Sequence, residues 1–232
     1  MATLEDIARV LGVTKGTVSK ALNGAADVSS AMRRAVVETA VELGYSRPRR
    51  GDEAPRLAVF ITNMAYEHPE DFGELYPILS DAEVMKHYPS PFSREKVQRW
   101  IDWNLENYAT YGFGLWAVIL KETGEFLGDC GITMQCIHGQ MLPEIGYHIR
   151  KDQQRKGYAS EAAAKCMEYA FRERKLPRVY SYMKYTNVGS YSVALKNGMK
   201  FVEEYDDPVN TVTRVYSISR EEWEERMRTD GS

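Results

Sequence analysis

The sequence predicts an α+β fold, a mixed β-sheet flanked by helices, preceded by a small all-α domain of three helices at the N-terminus. Three observations predict it. Up to residue 46 the apolar residues recur only at helical spacing, in three short runs separated by glycine. From residue 56 onward, strand-like alternation and helical periodicity take turns, as they do when a sheet and helices share one core. Between the two, Arg47, Pro48, Arg49, Arg50 and Pro55 make a charged stretch in which proline disfavours helix. The expected division is a helical domain over 1–46, a linker over 47–55 and a larger domain over 56–232.

In the first domain, Thr3 and Asp6 stand at capping-box spacing before a helix whose Leu4, Ile7, Ala8 and Leu11 share a face, and Gly12 ends it. Thr14 can cap a second helix over 15–22, with Val18, Ala21 and Leu22 inward and Asn23-Gly24 at its end. Val28-Ser29 opens a third over 30–43, with Val36, Val37, Ala40 and Val41 inward and Gly44 as its stop. Two short helices joined by a tight turn and backed by a third describe a helix-turn-helix.

In the larger domain, residues 57–61 read as a first strand, and His68-Pro69 opens a helix that runs to residue 79. Ser93 caps a helix to about residue 108, on which Val97, Trp100, Ile101 and Leu105 share a face. Trp100 and Trp103 could border an acceptor pocket, although aromatic residues at this spacing more often fill a core. Strands over 115–120 and 126–134 form a hairpin around Glu122-Thr123-Gly124-Glu125, and a further strand covers 142–149. A helix over 160–174 and a strand over 179–184 follow. Ser190 is expected to cap a short helix ending at Asn197-Gly198, and a hairpin over 200–205 and 211–218 closes the fold.

The most informative stretch is Gln154-Arg155-Lys156-Gly157-Tyr158-Ala159, set between a strand and a helix. Amide N–H groups at a helix start lack intrahelical partners, and the helix dipole favours an anion there. A short basic turn with a glycine at that place makes a phosphate cradle. Gly157 lets backbone approach the phosphate, small Ala159 does the same further on, and Arg155 and Lys156 add positive charge.

Composition narrows the setting. At 44% hydrophobic residues the chain can bury a sizeable core, and no apolar run approaches the ~18 residues of a membrane span. Cys130, Cys136 and Cys166 have neither metal-ligand spacing nor a ready pairing, so buried reduced thiols in a cytoplasmic protein are expected and no metal site is. The N-terminus, acidic in its first turn, is not expected to be a leader. Up to Gly51 eight basic residues face five acidic ones, and beyond it twenty-two face twenty-eight. A basic head suits nucleic acid, and an acidic body would suit a cationic acceptor.

Ile7-Ala8, Gly12-Val13-Thr14, Thr17-Val18-Ser19-Lys20, Leu22-Asn23-Gly24, Val28-Ser29 and Glu42-Leu43-Gly44-Tyr45 resemble the DNA-binding headpiece of the Lac-repressor family over residues 2–48. The resemblance implies DNA as a partner of residues 1–46. Lys15 and Gly16 would take base-reading positions, Thr17, Ser19 and Lys20 would touch phosphates or base edges, and Asn23 the backbone. Gly16 departs from the pattern, having no side chain to read a base, which blunts specificity. The family's hinge helix and sensor domain do not follow. A single headpiece makes few phosphate contacts, so tight binding would require a homodimer formed through the larger domain.

The order strand, Gln154-x-x-Gly157-x-Ala159, helix, strand, then Asn187-x-x-Ser190 and Lys196-Asn197-Gly198-Met199 resembles the GNAT N-acetyltransferase superfamily over roughly 69–223. Its RimJ/RimL-like branch, which acetylates protein N-termini and related amines, is the most similar. The resemblance implies acetyl-CoA as co-substrate, with its pyrophosphate in the cradle of Gln154, Arg155, Lys156, Gly157, Tyr158 and Ala159. Its arm would lie along the backbone at Ile149 and against Asn187, where the sheet splays between the strand before the cradle and the strand after its helix. Glu144 stands where related enzymes place a carboxylate base, with His148 on the same face in a structural role. Ser190 is either catalytic or a simple cap. The place of the tyrosine acid, seven residues after Asn187, is taken by Ala194.

Two functions stay open. One is an acetyl-CoA-dependent N-acetyltransferase, acting on a protein N-terminus, lysine, polyamine or other small amine, with an attached DNA-binding head. The other is a transcriptional regulator that uses the same fold as an acyl-CoA sensor without turnover. In either, the head could have lost its hold on DNA.

Overall fold

The computed structural model describes residues 2–22, 28–29, 31–32, 35–36, 39–40, 43, 45, 57–59 and 69–230. In the head, α1 (Leu4–Leu11) starts from a complete capping box between Thr3 and Asp6 and stops at left-handed Gly12. Helix α2 (Lys15–Leu22) follows, with the Thr17 N–H bonded to the Thr14 hydroxyl at 3.1 Å. Residues 31, 32, 35, 36, 39 and 40 are helical, and the Ser29 hydroxyl accepts from the Met32 N–H as the expected third helix requires. Ile7, Ala8, Val18, Ala21, Val36 and Ala40 close a small core. Asn23, Phe60, Ile61, the remainder of that helix and the linker over 47–55 lie outside the described residues.

The larger domain runs β1 (Leu57–Val59), α3 (Pro69–Leu79), α4 (Arg94–Tyr111), β2 (Leu115–Leu120), β3 (Phe126–Ile137), β4 (Gln140–Ile149), α5 (Tyr158–Arg172), β5 (Arg178–Lys184), α6 (Val188–Lys196), β6 (Lys200–Asp207), β7 (Thr211–Ser219) and α7 (Arg220–Asp230). Seven strands form one mixed sheet in the order β1-β2-β3-β4-β5-β7-β6. Every neighbouring pair is antiparallel except β4 and β5, which run parallel and are in register at a single pair, Glu144 with Tyr180. The expected splay is therefore present, and it begins at Glu144.

The strands β3 and β4 extend beyond their expected ends because His138 and Gly139, with φ of +46° and +79°, make a two-residue turn whose twist matches the strands. At the other end of this hairpin, Gly128 has φ +147°, and a Cβ there would lie 1.9 Å from the His148 carbonyl oxygen. Only glycine allows the close approach that delivers the end of β4 to the cradle. Helix α5 starts at Tyr158, two residues earlier than its apolar spacing suggested.

Three expectations are corrected. Ser190 does not cap α6: Asn187 does, its side-chain oxygen accepting from the Ser190 N–H at 3.1 Å, because Asn187 is the residue with non-helical backbone. A last helix, α7, follows the closing hairpin. Its start is a capping box in which the Ser219 hydroxyl and the Glu222 carboxylate exchange bonds with each other's N–H groups, and Trp223 packs on Phe171. The three cysteines are not alike: Cys130 and Cys166 are buried with sulfurs 3.5 Å apart, whereas Cys136 is exposed.

Candidate active site

The chain leaves β4 at Ile149, makes a short 3-10 turn over Lys151–Gln153, and enters α5 through two left-handed residues, Arg155 at φ +65° and Gly157 at φ +93°. Positive φ is uncommon for a residue with a side chain, and such a turn converges backbone N–H groups on one concavity suited to an anion. Gly157 is the N-cap and offers no side chain to the first-turn amides of α5. Arg155 and Lys156 stay exposed, with the Lys156 ammonium 2.8 Å from the Gln153 side-chain oxygen. Gln154 turns back instead, donating to the Ile149 carbonyl at 2.9 Å, and so holds the turn closed. Tyr158 is buried in the core. Of the six motif residues, Arg155 and Lys156 are exposed on the turn, Gly157 caps the helix, Ala159 is half-buried against the core, and Gln154 and Tyr158 brace the turn.

Beside the cradle, the Tyr147 hydroxyl donates to the Ser190 carbonyl at 2.9 Å and lies 3.1 Å from the Ser190 hydroxyl. Burial raises the Tyr147 phenol, which keeps its proton. Tyr191 is fully buried and stacked on Tyr216.

Residues directly opposite in an antiparallel pair share a face, so Asp129, His148, Thr133 and Glu144 face one way while Tyr147 faces the other. Glu144 is 8% exposed, not a solvated edge charge. Burial pushes its carboxyl up to about 8, against the pull of the Thr133 hydroxyl 3.3 Å away, and Asp129 adds to the rise. Asp129, fully buried, accepts from the His148 backbone N–H at 3.0 Å and faces the ring Nδ1 at 2.8 Å. The other ring nitrogen, Nε2, is 2.9 Å from the Tyr88 hydroxyl. With Nδ1–H donated to the carboxylate, Nε2 accepts from Tyr88, and a chain Asp129–His148–Tyr88 runs alongside Glu144.

Above this row lies a cavity of about 490 Å³ lined by Phe92, Lys96, Arg99, Trp100, Trp103, Met134, Gln135, Cys136 and Met141. Its wall is wired to Glu144: the Gln135 amide donates to the Thr133 hydroxyl, which donates to the Glu144 carboxylate. Trp100 stands edge-on to His148 and beside Trp103. Both tryptophans border this space.

Tyr88, Thr133, Asp129 and Tyr147 were outside the sequence reading. Asp129 carried a signal, a carboxylate within the otherwise apolar and glycine-rich run of β3. Tyr88 carried none, since it reaches His148 from the irregular segment between α3 and α4. In the head, Lys15, Gly16 and Lys20 are exposed on α2, Thr17 is tied through its hydroxyl to Thr14 at 2.9 Å, and Ser19 is half-buried. The Lys15 ammonium pairs with Glu5 on α1.

The sheet parts beside the turn into α5, with the buried Glu144 at the fork, in an α+β arrangement. Residues 65–200 match the model of the acetyltransferase (GNAT) domain, and residues 3–48 match that of the bacterial regulatory proteins of the lacI family. The chain is 36% identical over 146 residues to the Bacillus subtilis protein YkkB, covering 62% of this chain and 83% of that one. It is 31% identical over 162 residues to an Aspergillus fumigatus FsC-acetyl coenzyme A-N(2)-transacetylase, covering 62% and 67%. A solved GNAT-family acetyltransferase from Bacillus anthracis superposes with a TM-score of 0.58 at 26% identity, covering 73% of this chain and 98% of that one. The chain belongs to the GNAT acetyltransferase family and carries a LacI-type helix-turn-helix at its N-terminus.

Proposed function

We propose that the chain is an acetyl-CoA-dependent N-acetyltransferase whose head binds DNA. The observation that carries the reading is Glu144, a buried carboxylate with a raised pKa at the point where β4 and β5 part. The cradle fits the co-substrate's pyrophosphate: Arg155, Lys156, Gly157, Ala159 and the first amides of α5 would hold it, with Gln154 and Tyr158 bracing the turn. The Aspergillus relative, whose name states both acetyl coenzyme A and an N(2) acceptor, supports donor and reaction type together. When bound, acetyl-CoA supplies an activated acyl carbon; the residues of the chain supply the rest.

Glu144 takes a proton from the acceptor ammonium, directly or through water, and releases the nitrogen lone pair for attack on the thioester carbonyl. The backbone at Ile149 and the cap residue Asn187 hold the arm in line. As the C–N bond forms the C–S bond breaks, and the sulfur leaves with the electron pair. The thiolate takes up a proton from water, since Ala194 offers none, while the amide nitrogen sheds its second proton to solvent. Amide, free thiol and one proton released to solvent complete the balance.

The test is calorimetric titration of acetyl-CoA into the full chain and its Gly157→Glu variant, with thiol release followed across a panel of amines. Micromolar binding lost in Gly157→Glu, together with turnover lost in Glu144→Gln, is the expected result. Binding without turnover of any amine would leave the sensor reading in its place.

A further inference from the structure

The acidic body suggested a cationic acceptor, yet the cavity above Glu144 is built for the opposite charge. Its walls are aromatic and apolar, from Phe92, Trp100, Trp103 and Met141, and its only charged lining groups among the described residues are Lys96 and Arg99. Neither makes an ion pair within the described residues. The Lys96 ammonium lies 4.0 Å from the centre of the Phe92 ring, and Arg99 acts on Glu95, an exposed carboxylate outside the cavity lining. Among the described residues no carboxylate lines the space, and the carboxyl beyond its wall, Glu144, is itself held toward the neutral form by burial. The indole N–H of Trp100, a residue of the wall, is buried with no hydrogen-bond partner among the described residues. The space, about 490 Å³ and open to solvent, is of a size that takes a compact organic molecule.

From these features, and resting on the acetyltransferase reading above, we infer that the acceptor is a small amine with an aromatic or bulky apolar body and an anionic group, bound with its nitrogen toward Glu144 and its anion toward Lys96 and Arg99. Arg and Lys recognise carboxylate or phosphate by charge-assisted bonds. Tryptophan and phenylalanine faces hold a flat body by stacking. A polyamine or a lysine-rich peptide would bring cations against Lys96 and Arg99, neither of which makes an ion pair among the described residues. The local field inside the cavity, not the net charge of the domain, decides what is held there.

The experiment uses three rod-shaped probes that differ only at the end away from the amine: 4-(aminomethyl)benzoate, benzylamine and 1,4-bis(aminomethyl)benzene. Each is titrated calorimetrically into the full chain saturated with coenzyme A, and thiol release from acetyl-CoA is measured in parallel. The expected result is that the carboxylate binds roughly tenfold or more tightly than the diamine, as one charge-assisted bond would give. Lys96→Glu and Arg99→Glu should each cancel or reverse that order while leaving acetyl-CoA affinity and melting temperature in place. Lys96→Met, which keeps the apolar stem, should cancel it without reversal. Equal binding, tighter binding of the diamine, or no binding of any probe overturns the inference. The acetyltransferase reading fails by a separate sign, the absence of acetyl-CoA binding and of thiol release with every amine.

Discussion

The buried carboxyl of Glu144 keeps its proton to about pH 8 in the folded chain, which bears on stability and on the proposed turnover alike. If it is the base, turnover should rise with pH and level off above about 8, and Glu144→Gln should lower it by roughly 10² to 10⁴ while acetyl-CoA still binds. The sign for stability is the reverse. The folded pKa of about 8 lies above the ordinary 4.5, so the folded chain holds a proton that the unfolded chain has lost between those values. Stability is fully present below about 4.5, declines as pH rises toward 8 and is level beyond. Melting scans across that window should show a slope in the wild type that is reduced in Glu144→Gln. Asp129→Ala would leave the backbone N–H and ring N–H of His148 without their acceptor, a loss of about 3 kcal/mol in denaturant unfolding. At this scale the sequence singled out Glu144 and the cradle residues as candidates, because motif spacing and β alternation are local. It did not reveal Tyr88, sixty positions from His148 and joined to it only by the fold.

Among elements, the two ends of the β3–β4 hairpin make different demands. The His138-Gly139 turn sets register, and Gly128 lets the far end pack against the His148 carbonyl. Gly128→Ala should therefore disrupt folding far more than an ordinary glycine substitution, with loss of soluble protein or a much lower melting temperature as the readout. Helix α7 is anchored by Ser219 and Trp223, and Ser219→Ala should cost about 1 kcal/mol by removing the cap. Its apolar face is thin, which is why periodicity passed over it, although the Ser219-x-x-Glu222 spacing was available as a start signal. The reassigned cap of α6 shows the same thing. Asn187 and Ser190 both suit a helix start, and backbone conformation, which spacing does not encode, decides between them.

For the whole molecule, the head and the body carry opposite charge and match different families, so their functions should separate in solution. If α2 meets DNA, Lys20→Glu should weaken a mobility shift and flatten its salt dependence, and Lys15→Glu, at a base-reading position, should also alter which sequence is preferred, neither changing acetyl-CoA affinity. Sedimentation at the same concentrations shows whether a second copy accompanies binding. A last consequence comes from Cys136. It is the exposed thiol of the three and sits in the cavity wall, whereas Cys130 and Cys166 are buried in the core. An alkylating reagent should therefore modify one sulfur of the folded chain and three of the unfolded one. The rate of that single modification becomes a gauge of occupancy. Any compound that shields Cys136 from a maleimide fills the cavity, so unknown acceptors can be found by protection before any product has been identified.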